Sequence, residues 1–166
     1  MPALNQDSLA VRNLLLGENG VIRRWTRAGA RGWRLDVADE LQESLISDIR
    51  RVLLEEKPDG VLIGEVWEDA SNKESYGVRR RYLIGGQLDS VMNYPFKEAI
   101  INYCKYGDAR GFEDGVMTIL EHYPKPSADM LMNFLSTHDT ERILTRLAGE
   151  DVGWHDREWQ AERYLS

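Results

Sequence analysis

The sequence predicts an α/β fold in which helices cover a parallel sheet, on three observations. Short β-branched runs alternate with stretches of helical periodicity, and Gly and Pro punctuate the joints between them. Acidic residues fall just past three of the β-like runs, where parallel α/β folds place their working groups.

The first helical stretch follows Ser8, a candidate N-cap, with apolar residues at Val11, Leu14, Leu15, Ile22 and Trp25. Gly17 and Gly20 weaken its middle, so it reads as two helices or one broken helix, and Gly29 ends it. Trp25 is expected to pack on the helix face. Gly32–Val37 reads as a strand. Asp39 can cap the next helix, with Glu40 in its first turn. The apolar face of that helix is Leu41, Leu45, Ile46, Ile49, Val52 and Leu53. Lys57-Pro58-Asp59-Gly60 is a stop and a turn.

Val61–Val66 then has the composition of a strand buried on both faces. A polar loop runs from about Asp69 to Gly86, and Gln87–Met92 is a weaker strand. Pro95 suits the first residue of a helix carrying Ala99, Ile100, Ile101 and Tyr103. Another helix begins near Ala109 and carries Phe112, Val116, Ile119 and Leu120. Met130–Ser136 is the fourth strand candidate. Thr140 opens a short helix with Ile143, Leu144 and Leu147, and Trp154–Ser166 has helical character. No linker divides the chain, so it reads as one structural unit.

With 42% hydrophobic and 30% charged residues, 14 Gly and 5 Pro, the composition is that of a globular protein and not of a disordered or collagen-like one. No stretch reaches the roughly 20 apolar residues of a membrane helix. The opening residues lack the basic and apolar regions of a signal peptide, which points toward the cytoplasm while leaving secretion open. The single Cys104 excludes an internal disulfide and any multi-cysteine metal site. A formal charge of −7 argues against nucleic acid as a partner. The basic run Arg79-Arg80-Arg81 reads as a solvated face.

Asp36, Glu65 and Asp139 are the acids at three strand ends. Arg34 lies two residues before Asp36, on the same strand face, and a guanidinium there keeps a carboxylate ionised, as a nucleophile requires. Glu65 follows an apolar strand, a setting that raises a carboxyl pKa toward that of a general acid. Two carboxyls in contrasting settings on adjacent strand ends are what glycoside hydrolysis uses. A separation of about 5–5.5 Å implies retention and about 6.5–9.5 Å inversion. Neighbouring parallel strands stand only about 4.8 Å apart, which favours retention. Trp67 reads equally as a platform for a sugar ring and as an interior anchor. His138, Asp139, Asp36 and Glu65 are alternatively metal ligands, though Arg34 beside Asp36 would repel a cation.

Three segments at these residues resemble the alpha-amylase family of glycoside hydrolases, and within it the neopullulanase, cyclomaltodextrinase and maltogenic amylase branch. Gly32-Trp33-Arg34-Leu35-Asp36-Val37-Ala38-Asp39-Glu40 is similar to the nucleophile segment on the fourth barrel strand. Gly64-Glu65-Val66-Trp67 is similar to the acid/base segment on the fifth, and Phe134-Leu135-Ser136-Thr137-His138-Asp139 to the segment after the seventh. The opening Met1-Pro2-Ala3-Leu4-Asn5 is similar to the branch's M-P-K-L-N signature, with Ala3 in place of Lys.

The resemblance implies Asp36 as nucleophile, Glu65 as acid/base, and Asp139 with His138 binding sugar hydroxyls and supporting the transition state. Arg34 would orient Asp36, and Trp67 and Glu68 would lie near the acceptor side. The reaction implied is retaining cleavage of α-1,4 and in some members α-1,6 glucosidic bonds in maltodextrins, cyclodextrins or pullulan. The competing implication is a non-catalytic amylase-like domain acting in binding or association. The family's Asp-x-x-x-Asn-His motif of the third strand is absent from the sequence. The resemblance therefore implies a partial (β/α)8 TIM barrel, with residues 1–166 covering roughly strands 4 to 7 of the catalytic domain. It implies no cofactor in this portion, leaves calcium open for a longer protein, and leaves two sheet edges through which chains would self-associate.

Overall fold

The computed structural model describes residues 4–148, which fall into two compact units. The first is built from residues 4–92 and 122–132, the second from 93–121 and 133–148. None of the described helices is long and apolar enough to cross a membrane.

The first unit opens with two helices, α1 (Leu9–Leu16) and α2 (Val21–Arg27). The glycine pair thus divides the stretch. Ser8 stands at the N-cap position but makes no capping bond. Gly29, at φ 116°, closes α2 by bonding its N–H to Thr26 O, while Ala30 N–H reaches Trp25 O. This double closure is a Schellman end, which needs the left-handed residue that glycine supplies. Trp25 itself is 58% exposed, contrary to the packing expected of it; Ile22 and Thr26 are the residues of this helix that go inside.

Strand β1 (Gly32–Leu35) follows, then a 3-10 turn at Ala38–Glu40, helix α3 (Glu43–Glu56) and strand β2 (Val61–Gly64). The face of α3 is the predicted one except for Leu41, which precedes the helix and is half-buried: Leu45, Ile46, Ile49, Val52 and Leu53 are all buried. Gln42, not Asp39, stands at its N-cap. Glu55 and Glu56 near its end bind Arg23 and Arg27 of α2, fastening the two helices on their polar side.

β1 and β2 are parallel, with Gly32 opposite Val61 and Leu35 opposite Gly64. β2 alternates in burial instead of being buried on both faces. On its other edge it pairs in parallel with β5 (Ser90–Val91), a strand much shorter than predicted. Asp89 clips this edge: it takes the Leu62 N–H at 2.8 Å and Arg50 at 2.6 Å. The fourth strand candidate is reduced to a single parallel bridge, Met92 to Met132. The three strands are parallel, as predicted for repeated βα units, and lie in chain order.

The loop expected between Asp69 and Gly86 contains a hairpin, β3 (Glu74–Ser75) and β4 (Val78–Arg79). Tyr76 and Gly77 form its two-residue tip, both at positive φ, as in the type I′ turns that match strand twist.

The second unit carries α4 (Tyr94–Tyr106), α5 (Ala109–His122) and α7 (Ile143–Ala148). Between α5 and α7 in sequence, the short helix α6 (Lys125–Asp129) belongs to the first unit. Asn93 caps α4 by accepting the Phe96 N–H, so Pro95 is the second helical residue and not the first. Thr140 does not open α7; its hydroxyl accepts the Thr137 N–H instead. The helical character expected at Trp154–Ser166 lies outside the described residues.

Candidate active site

Because Leu35 and Gly64 are paired in register, the next residues, Asp36 and Glu65, leave the sheet side by side. The ladder continues briefly through Glu65 N–H to Leu35 O at 2.9 Å and Ala38 N–H to Glu65 O at 3.1 Å. Arg34 and Asp36 share a strand face, and Arg34 Nη1 donates to Asp36 Oδ1. The same guanidinium places Nη2 3.0 Å from Glu65 Oε2, and its Nε reaches Met92 Sδ at 3.4 Å. One arginine therefore spans the ends of three strands and touches both carboxylates.

The two carboxylates differ in setting. Asp36 keeps 75% of its side chain exposed, whereas Glu65 is 3% exposed. Glu65 Oε2 accepts the Val37 N–H at 2.8 Å, and Oε1 accepts the Trp67 indole N–H at 3.1 Å. Its surroundings are thus buried but polar, and not the apolar pocket expected from the strand preceding it. Trp67 is half exposed, so one ring both holds Glu65 and faces solvent.

Val37 sits at φ 40° and ψ 64°, left-handed backbone that a β-branched residue rarely adopts. This conformation aims its N–H at Glu65. The turn after it is gripped by the hairpin loop. Arg80, 8% exposed, donates to the Ala38 carbonyl at 3.1 Å and to that of Leu41, and its Nε reaches Tyr82 Oη at 3.0 Å. Tyr82 donates in turn to Asp39 at 2.7 Å, Ser75 Oγ donates to Asp39 O, and Lys73 pairs with Asp39 and Glu68.

The basic run is therefore not uniform: Arg79 and Arg81 are exposed, while Arg80 is a buried clamp. Burial, and then the bond to Asp39, push the Tyr82 phenol well above its ordinary pKa. Burial alone would lower the Lys73 ammonium, but Glu68 and Asp39 outweigh it and raise it.

His138 and Asp139 belong to the second unit. There His138 Nε2 lies 3.1 Å from Asp139 Oδ2, and the Asp139 N–H bonds Thr137 Oγ1 at 3.2 Å. Within the first unit the structure brings together Arg34, Asp36, Glu65 and Trp67, and Lys73 ties Glu68 to Asp39 on the turn that follows Asp36. No group of three metal-ligating His, Cys, Asp or Glu side chains gathers among the described residues.

The pair of carboxylates bridged by one arginine lies within the first two of the sequence segments described above. Residues 1–163 match the family described as "Alpha amylase, catalytic domain". The chain belongs to that family. It is 37% identical over 154 residues to neopullulanase 2 of Thermoactinomyces vulgaris, covering 92% of this chain and 24% of that protein. It is 35% identical over 153 residues to a cyclomaltodextrinase of a Bacillus species, covering 90% of this chain and 25% of that one.

The chain thus spans about a quarter of the length of these curated relatives. Among solved structures, it superposes with a TM-score of 0.78 and 28% identity on the cyclic alpha-maltosyl-(1→6)-maltose hydrolase from Arthrobacter globiformis in complex with maltose. That superposition covers 90% of this chain and 32% of the hydrolase. The fold of the described residues is accordingly that of the alpha-amylase catalytic domain, a TIM-barrel family.

Val37 and the Arg80 clamp are the parts of the site that sequence reasoning missed. Nothing in Asp36-Val37-Ala38 signals left-handed backbone, which ordinarily draws Gly or Asn. The hairpin did leave a signal, Tyr76-Gly77 between short polar and β-branched residues.

Proposed function

We propose that these residues serve retaining hydrolysis of α-glucosidic bonds in maltodextrins, cyclodextrins or pullulan. Asp36 attacks the anomeric carbon to form a glycosyl-enzyme; Glu65 protonates the departing oxygen and then activates water or an acceptor hydroxyl. Arg34 orients the pair, Asp139 with His138 binds ring hydroxyls and supports the oxocarbenium-like charge, and Trp67 and Glu68 flank the acceptor. The observation that carries this reading is the single guanidinium touching both an exposed and a buried carboxylate at adjacent strand ends. It couples the two acids through one side chain and leaves them in unlike settings, the contrast that acid/base and nucleophile roles use.

The proposal includes that the 166 residues form roughly strands 4 to 7 of the family's barrel, that turnover needs more of the domain than they supply, and that they need no cofactor of their own. A protein carrying the whole domain should cleave maltoheptaose or pullulan with retention at the anomeric carbon, read by NMR, and Asp36→Asn should abolish it. Unchanged cleavage by Asp36→Asn would remove the assignment and favour the non-catalytic reading. Full turnover by the 166-residue chain alone would refute the requirement for more of the domain.

β1 has one paired neighbour among the described residues, and an unpaired edge is a template for another strand. Self-association through it follows, and a monomeric mass by light scattering at high concentration would refute it.

A further inference from the structure

We infer that Tyr76 is a sugar-stacking platform, with Glu40 as its hydrogen-bonding partner toward the same ligand. The ligand class is a neutral α-glucan, so the inference rests on the reading above and extends it to residues that reading does not use. Tyr76 is 78% exposed, yet it is held at three points. Its hydroxyl donates to Glu40 Oε2 at 2.6 Å; its backbone sits at φ 54°, at the tip of a two-residue hairpin loop; and the preceding Ser75 is bonded to Asp39 O. The turn fixes where the ring leaves the backbone and Glu40 fixes its hydroxyl, so an exposed ring is held in one orientation. Rigid aromatic faces bind well because little side-chain entropy is lost on contact.

The placement supports a role beside the carboxylates. Glu40 lies four residues past Asp36, on the turn whose first residue, Val37, holds Glu65. Lys73 joins Asp39 of that turn to Glu68, next to Trp67. Tyr76 and Trp67, two exposed rings, are thus fixed to one frame of ion pairs and hydrogen bonds.

The chemistry selects the ligand. An aromatic face attracts the C–H face of a pyranose, and an exposed carboxylate accepts hydroxyl protons. Glu40 and Glu68 together would repel a phosphorylated or carboxylated ligand.

The test is an NMR titration of the 166-residue chain with maltotriose in the millimolar range. Ring resonances of Tyr76 and the amide of Glu40 should shift saturably. Tyr76→Ala should weaken binding about tenfold, a loss of roughly 1.4 kcal/mol, while Tyr76→Trp retains it. Glu40→Ala should weaken it less and broaden the Tyr76 ring signals, because the ring loses the acceptor of its hydroxyl. A response at Trp67 and Glu65 with none at Tyr76 overturns the platform and leaves the α-glucan reading standing. No response at any of these residues overturns both. Equal affinity of wild type and Tyr76→Ala, with both folded by circular dichroism, also overturns the platform.

Discussion

Replacing Arg80 by Met isolates the clamp on the turn between β1 and α3. The side chain makes two charge-assisted bonds to carbonyls, one at Ala38 and one at Leu41, and a third to the Tyr82 hydroxyl oxygen. Bonds from charged donors contribute about 1.5–3 kcal/mol each, and a buried acceptor left without a donor keeps its desolvation cost. The Ala38 bond is buried and is lost in full; the Leu41 carbonyl is partly buried and can regain water. Relief of guanidinium desolvation offsets part of the sum. The net expectation is a loss of about 2–3 kcal/mol. With a urea m-value of about 1–3 kcal/mol/M, the midpoint should fall by roughly 1 M or more.

Arg79→Met and Arg81→Met are the controls, because both side chains are exposed, and each should stay within about 0.5 kcal/mol of wild type. Hydrogen exchange adds a local readout: the Val37 and Ala38 amides should lose protection in Arg80→Met while β2 amides keep theirs. A midpoint shift for Arg80→Met no larger than that of the two controls would refute the clamp.

Two further outcomes follow from the same packing. At Gly64 an added Cβ would run into Leu88 and stand 3.3 Å from Ala38 Cβ, both of them buried, so Gly64→Ala should cost about 1–3 kcal/mol by overpacking. An unchanged urea midpoint would contradict this crowding. Glu56 accepts hydrogen bonds from Arg27 and then Arg23, which hold its carboxyl at about 2 against an ordinary 4.5. Because the folded value is depressed, its contribution is complete above about pH 4.5 and is lost as the pH falls through about 2. Urea midpoints should therefore decline over that window, and less steeply for Glu56→Gln; parallel curves for the two proteins would show that the arginine pairing contributes nothing.

Legibility in the sequence divided along the range of the interactions concerned. The face of α3 was readable because its apolar residues recur at helical spacing and bury together. Asp36 and Glu65 were readable as strand-end acids because each directly follows its strand, and the arginine two residues before Asp36 shares its face by simple alternation; Asp139 follows no strand, only the Met132 bridge.

The strands were overread: β1 stops at Leu35 and β2 at Gly64, and composition alone does not show where pairing stops. Met130–Ser136 has a strand-like composition, yet only Met132 pairs. Trp25 sits on the periodic face of its helix and is still exposed. Arg80 was unreadable for a different reason: its acceptors are carbonyls some forty residues away, and three consecutive arginines carry no mark of which one turns inward.

The strained turn explains why that inward arginine matters. Left-handed backbone at a valine costs on the order of 1–3 kcal/mol and persists only where its surroundings over-determine it. Here they do: the Ala38 N–H is fixed to Glu65 O, the Ala38 and Leu41 carbonyls to Arg80, and the Asp39 carbonyl to Ser75. The strain in turn aims the Val37 N–H at the Glu65 carboxylate, one residue after Asp36. The proposed nucleophile and the proposed acid/base are therefore positioned by one backbone turn, and that turn is held by a hairpin loop that follows both of them in the chain. Relaxing the valine without loosening the loop, as Val37→Gly would do, should leave the Arg80 bonds intact and free only the N–H that meets Glu65. The loop and the turn are in this sense separable, the first supplying the grip and the second the aim.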